Sequence, residues 1–312
     1  MNPRPTSQAG SDRPGEAVAA RAGSSPAGPI LRRPARLRVP LAFLLAQAGL
    51  LVYTTLVVGP LLWTALTSLK SSLELFRNIW GLPQSWLWSN YASAWTNARI
   101  GSGFVNSLLV SGVAVPVILL LAAMAAFAIT RIDFRGRRAL LTLFVSGLMI
   151  PQALVLVPLF ILLGHLGLLN TRTGLILVYV AFAFPFNIFL MVPFFNAVPR
   201  ALEEAALADG ASHAQVFWRV DLPLARTGLV IAGVFQFFAD WGEYVLAYTV
   251  LSSDRLRTLP LAVADMVLRQ QYQTDWGALF AGLIIALVPV ILIYALFQRW
   301  ISEGILSGSI KG

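Results

Sequence analysis

A chain of 312 residues with 57% hydrophobic residues, 12% charged residues and a mean hydropathy of +0.74 lies outside the range of water-soluble domains, which carry about a quarter of their residues as charges. The apolar residues come in long unbroken runs and not in short amphipathic periods, so the principal solvent is lipid. The absence of cysteine excludes disulfides, thiolate metal sites and thiol nucleophiles, and the net charge of +9 does not point to nucleic acid, because the basic residues concentrate in the first 38 positions and beside apolar runs.

Residues 1–38 combine Pro, Gly and Ser with Arg4, Arg13, Arg21, Arg32, Arg33, Arg36 and Arg38 and show no apolar period. This is the composition of a disordered basic tail, suited to a cytoplasmic position beside anionic membrane lipid. Uncharged stretches follow over Val39–Leu69, Ile100–Thr130, Ala139–Thr171, Thr173–Pro199 and Trp276–Gln298. Each is long enough for the ~20-residue helix that crosses about 30 Å of hydrocarbon. Thr227–Leu251 matches them in length and apolarity but carries Asp240 and Glu243, making a sixth span with a polar interruption. The expected fold is an all-α membrane protein with six transmembrane helices. The tail, the Arg131–Arg138 loop, Arg200, Arg219, Arg226, Arg299 and Lys311 share one face and outnumber Lys70, Arg77, Arg99, Arg172, Arg255, Arg257 and Arg269 opposite, which places both termini in the cytoplasm.

Proline occurs within the spans at Pro60, Pro116, Pro151, Pro158, Pro185, Pro193 and Pro289, where each removes a backbone hydrogen bond and bends its helix. Between the first two spans, residues 70–100 form an outer loop that holds Trp80, Trp86, Trp88, Trp95 and Tyr91. These aromatic residues suit either a belt at the headgroup level or a docking surface for an external partner.

The segment between the fourth and fifth spans, residues 199–223, reads as two short helices. Pro199 suits a first helical position, Glu203 and Glu204 complement the positive helix end, and Gly210 supplies a left-handed stop. Ser212 and Gln215 form a capping box for a second helix to about Val220, and Pro223 resets the chain. Ala201, Ala205, Ala206 and Ala208 make a small-residue face, while Val216, Phe217 and Val220 make an apolar one. Such a segment is either a rigid docking knob or a cover for the ends of its own bundle.

Glu204-Ala205-Ala206, Gly210 and Val220-Asp221-Leu222-Pro223 resemble the EAA loop of binding-protein-dependent ABC import permeases, with Val220 where that pattern has Ile. Thr67-Ser68-Leu69-Lys70, Asn90-Tyr91, Asn106-Ser107-Leu108 and the run from Gly304 to Gly312 are similar to the carbohydrate permeases of the maltose-permease type. The resemblance implies a type I ABC importer permease fold with a five-span core over 101–301 and the first span, 39–69, added before it. Residues 302–312 would be a cytoplasmic tail, with its glycine-rich part from Gly304 reaching between ATPase subunits. The resemblance also implies that Glu203, Glu204, Ala205, Ala206, Gly210, Val220, Leu222 and Pro223 couple to a cytoplasmic ATPase dimer. The further partners it implies are a second homologous permease and an extracellular solute-binding protein, in a bacterial cytoplasmic membrane.

No phosphate loop is present, since Lys70 and Lys311 are the only lysines and neither follows the required glycines. The chain is therefore expected not to be an enzyme and to need no cofactor. His165 and His213 are isolated and read as surface residues. Asp240 and Glu243 share one helix face and, with Trp241 as a stacking surface for a sugar, are candidates for the solute path. Their alternative is a structural hydrogen bond between helices. An ion-coupled secondary transporter using Asp240 and Glu243 is the competing function, but no internal repeat accompanies it. A membrane-anchored enzyme lacks a catalytic constellation.

Overall fold

The computed structural model describes residues 41–269 and 275–309. The basic tail of residues 1–38 and Lys311 lie outside the described residues. The chain divides into two compact units, residues 1–53 and 54–312. In the first, the described residues 41–53 are helical and exposed throughout. Every described residue is in a helix, turn or irregular segment, with no strand among them.

The elements are α1 (Leu41–Thr67), α2 (Ser72–Arg77), α3 (Ser89–Thr96), α4 (Ile100–Arg131), α5 (Arg137–Gly147), α6 (Gln152–His165), α7 (Arg172–Ala197), α8 (Arg200–Ala208), α9 (His213–Val216), a π-helical turn (Phe217–Asp221), α10 (Leu222–Leu224), α11 (Arg226–Gly242), α12 (Val245–Val250), α13 (Leu259–Arg269) and α14 (Trp276–Ser309). Four of these, α1, α4, α7 and α14, are single helices long and apolar enough to cross a bilayer. Two bent pairs, α5 with α6 and residues 213–224 with α11, raise the number of candidate spans to six. Helix α14 runs on to Ser309, past the Gln298 boundary that the charges set.

Helices α4 and α7 form the central pair, with α11 against both and α14 against α11. Ala114, Ile118, Ala122 and Ala126 recur every four residues along α4 and are fully buried. Small side chains at that spacing let two helix backbones approach closely, which is how packing holds helices together in lipid. The two helices run in the same direction. Near their N-terminal ends, Arg172 donates to Asn106 Oδ1 at 2.8 and 3.1 Å; at their C-terminal ends, Arg131 donates to the carbonyl of Val198 at 2.6 Å and to that of Phe195.

The third and fifth expected spans are broken, for two different reasons. Helices α5 and α6 meet at 97° across Leu148–Pro151. Pro151 has no N–H and disfavours helical geometry at Ile150. The turn instead closes with bonds to the third residue back, from Leu148 to Val145 and from Met149 to Ser146. The other prolines expected to bend spans lie inside continuous helices. In the fifth span, α11 stops at Gly242 and Glu243 turns extended (φ −70°, ψ 127°). Its carboxylate accepts the N–H groups of Leu246 and Ala247 at 2.7 and 2.9 Å, satisfying donors that open α12.

The loop of residues 70–100 is fastened by buried polar groups. Asn90 donates to the carbonyls of Ser68 and Lys70 at 2.8 and 2.9 Å. Lys70 is 1% exposed and donates to the carbonyls of Asn78 and Ile79 at 3.0 and 3.2 Å. Ser68 shares a hydrogen bond with Tyr91 at 2.8 Å. Trp80, Trp86, Trp88 and Trp95 remain exposed on this loop.

Candidate functional site

The loop of residues 199–223 forms the two helical pieces its caps dictate. Helix α8 begins at Arg200, one residue later than expected, because Pro199 takes the extended conformation of a cap residue. It ends where Gly210 enters the left-handed region (φ +88°), with Ala211 N–H bonded to Ala206 and Gly210 N–H bonded to Leu207. This double closure satisfies the last carbonyls of α8. Ser212 and Gln215 then make the reciprocal capping box.

The second piece runs further than Val220, through to Leu224, and contains the π turn over Phe217–Asp221. Pro223 accounts for it. A proline in an α register would clash with the carbonyl of residue 219 and leave that carbonyl without a donor. The wider turn lets Leu222 N–H bond to Phe217 O instead.

The faces of α8 divide its residues into two sets. Glu203 and Ala206 turn toward the bundle and are partly buried, while Ala201, Glu204, Ala205 and Ala208 are exposed. On the second piece, Val216 and Phe217 are buried and Val220 and Leu222 pack beside them. They join Ala122, Phe127, Met191 and Phe195 from α4 and α7 in one apolar cluster, with Phe217 stacked on Phe195 at 6.4 Å. The apolar face therefore covers the ends of the bundle's own helices, and Glu204 with the alanine face is what the loop leaves outside. His165 and His213 are both exposed.

A buried charge cluster seats the loop. Arg131, the last residue of α4, places Nε 2.8 Å from Oε1 of Glu203 and 3.6 Å from Oδ1 of Asp221. The side chains are 4%, 12% and 0% exposed respectively. Two carboxylates face one guanidinium, so one negative charge is in excess. Burial, followed by the charge of Glu203, pushes the Asp221 carboxyl up to about 6 against the opposing pull of Arg131. No local pattern reveals this triad: Arg131 counts in the sequence only as a charge beside a span.

Each of the three solute-path candidates has a polar partner within the fold. Asp240 is buried and accepts from Gln236 at 2.7 Å, and Gln236 in turn accepts from Asn187 of α7 at 2.7 Å. Trp241 is 4% exposed, its ring stacked on Phe237 and edge-on to Phe104, and its N–H donates to Ala286 O at 3.0 Å. Neither face of that indole is open to a ligand. Glu243 caps α12 as described and accepts from Tyr179 at 3.1 Å.

One turn further along, Tyr244 and Tyr248 stack at 5.8 Å and 18°. They line a cavity of about 450 Å³ with Thr249, Ser252, Arg257 and Asp265. A second cavity of about 260 Å³, with Asn97, Arg99, Ser102 and Asp254, shares Arg257 and Asp265 with it, and those two residues form an ion pair. Their spacing in the sequence carries no motif.

Comparison with known proteins gives the family. Residues 118–307 match the family model described as binding-protein-dependent transport system inner membrane component. The chain is 39% identical to the diacetylchitobiose uptake system permease protein of Streptomyces coelicolor, over 86% of this chain and 88% of that one. It is 34% identical to the trehalose transport system permease protein of Mycobacterium tuberculosis, over 84% and 96%. In fold it is similar to a chain of a bacterial ABC transporter involved in the import of the acidic polysaccharide alginate, with a TM-score of 0.74, 22% identity, and coverage of 84% of this chain and 97% of that one. With a family match over residues 118–307, and relatives 34% and 39% identical over more than four-fifths of the chain, the chain belongs to the binding-protein-dependent transport system inner membrane components, the noncatalytic multi-pass permease subunits of ABC importers.

Proposed function

We propose that this chain carries a sugar-like solute across the bacterial cytoplasmic membrane as one of two permease subunits, driven by a cytoplasmic ATPase dimer and supplied by an extracellular solute-binding protein. It crosses the membrane six times, with α1, α4, α7 and α14 as single helices, α5–α6 as a bent span and α11 within the fifth, and both termini cytoplasmic. The observation that carries this reading is the two-sided α8: Glu203 and Ala206 are held against the bundle, while Glu204, Ala205 and the other alanines face outward. A helix anchored on one side and open on the other passes displacement from a docked partner into α4 and α7 as a rigid body. Glu204, Ala205 and Gly210 make the ATPase-facing surface; Ala206, Val220, Leu222 and Pro223 shape the loop behind it.

The relatives' names, for diacetylchitobiose and trehalose, support a carbohydrate as the solute. On this subunit the sugar-facing element is the outer cavity beneath Tyr244 and Tyr248. Stacked aromatic faces beside hydroxyl and ion-pair groups suit a ring that is apolar on its faces and hydroxylated at its edge. Asp240 and Glu243 act behind it by holding α11 and α12 in place, with Trp241 as core. The ion-coupled reading of Asp240 and Glu243 has no support from the family.

Uptake into proteoliposomes that contain the full complex tests the function. Transport should require internal ATP and survive a protonophore and sodium removal. Uptake that persists without ATP and collapses with the ion gradient would contradict it.

A further inference from the structure

At the shared C-terminal end of α4 and α7 lies a cavity of about 340 Å³ that the transport reading does not use. Arg137, Arg138 and Arg200 line it, with Thr130 and Asn196, and none of its lining residues is acidic. Arg137 is held by Asp133 in the same loop. Among the described residues neither Arg138 nor Arg200 has a carboxylate partner. The remaining wall is apolar, formed by Ile129, Leu141 and Val192.

Three guanidinium groups around one cavity concentrate positive potential, and the planar fork of each suits the oxygens of a phosphate. Helices α5 and α8 both start at this cavity, with Arg137 and Arg200 as their first residues, and neither has a side-chain cap on its free N–H groups. The positive ends of both helices add to the same field.

The position decides between sources of phosphate. Helices α4 and α7 are bilayer-spanning by length and apolarity, so their shared end lies at the headgroup level. Leu140 and Leu143, on the helix that carries Arg137 and Arg138, are exposed. A cavity with a basic rim, an apolar wall and exposed leucines beside it matches a phosphate that is tethered to acyl chains.

We infer that this cavity binds the phosphate of an anionic phospholipid headgroup and fixes α5 and α8 against the membrane surface. The site does not depend on the identity of the transported solute. A dissolved phosphate would share the arginines but would gain nothing from the apolar wall. An acidic side chain of a partner subunit would meet the same charges, and the experiment separates these occupants.

The test is native mass spectrometry of the full-length chain, delipidated in detergent and titrated separately with phosphatidylglycerol, phosphatidylcholine and inorganic phosphate. Phosphatidylglycerol should be retained at least about tenfold better than phosphatidylcholine, with no adduct from inorganic phosphate. The pair Arg138→Gln with Arg200→Gln should abolish that preference, and Arg138→Lys with Arg200→Lys should keep most of it. The charge-matched pair Arg135→Gln with Arg219→Gln, outside the cavity, should leave it unchanged. Melting temperatures of all three pairs identify any loss that reflects unfolding. Equal loss in both glutamine pairs, equal binding of inorganic phosphate, or intact lipid preference with loss of ATPase assembly in Arg138→Gln with Arg200→Gln would each overturn the inference.

Discussion

Arg131 Nε lies 2.8 Å from Glu203 Oε1, so the last residue of a membrane helix and the first turn of the loop helix are joined by a buried ion pair. Asp221 completes the contact from the second helical piece at 3.6 Å. Three elements distant in sequence therefore share one charge cluster. We expect displacement of α8 to be passed to α4 through this cluster.

The two adjacent glutamates should behave differently. Glu203→Gln removes the 2.8 Å ion pair but leaves Asp221 to balance Arg131, whereas Arg131→Met strands two buried carboxylates, a change that costs about 3–5 kcal/mol for a buried pair. Both should lower the melting temperature and expose the loop to protease, with Arg131→Met the more severe. Glu204→Gln lies on the exposed face, where substitutions change stability by about 0.5 kcal/mol or less. It should melt like wild type and still lose coupling of ATP hydrolysis to uptake. A thermal melt combined with a coupling ratio reads both effects.

Stability of the loop should fall as pH rises from about 4 to about 7. The folded carboxyl of Asp221, raised from 3.8 to about 6, binds more protons than the unfolded one in that window. Its contribution is therefore complete below pH 4 and lost above 6, with an upper bound of about 3 kcal/mol. Asp221→Asn, which holds the position neutral, should flatten this dependence. Protease susceptibility of the loop measured at pH 5 and pH 7.5 in both proteins checks it.

Trp241 and Tyr248 separate core from surface. Trp241→Ala empties a packed position between Phe104 and Phe237 and should cost about 3–5 kcal/mol. Tyr248 is 67% exposed, so Tyr248→Ala should leave the melting temperature nearly unchanged and raise the KM for uptake several-fold. The opposite pattern would return Trp241 to the solute path.

Two glycines should fail for different reasons. A Cβ at Gly277 would meet Asn90 Nδ2 at 2.4 Å and Lys70 O at 2.5 Å, so Gly277→Ala should loosen the loop of residues 70–100 from α14. At Gly210 nothing lies within 4 Å. Only its left-handed backbone resists substitution, so Gly210→Ala should cost about 1–2 kcal/mol, confined to α8. Limited proteolysis of each variant should cut at residues 70–100 in the first and 199–223 in the second.

Local chemistry was legible in the sequence and remote partnership was not. Gly210 and the Ser212–Gln215 box act within four residues, so their types alone specify the loop. Long uncharged runs likewise announce α1, α4, α7 and α14. Pro151 breaks a helix while Pro116 does not, and no property of either residue separates them. Arg131 reads as a topology signal until α8 and the π turn bring Glu203 and Asp221 to it. Asn90 and Lys70 stand out through family resemblance, but only the fold shows that they fasten backbone carbonyls.

The most direct measurement uses the absence of cysteine. A single Ala205→Cys on the exposed face of α8 and a single Ala92→Cys on α3 each give a unique handle for a short bifunctional crosslinker in the assembled transporter. Ala205→Cys should join to the ATPase subunit, and nucleotide should change the yield. Ala92→Cys should give no such product. Absence of an ATPase adduct at position 205 in an assembled complex, or its appearance from position 92, would contradict the role assigned to the loop.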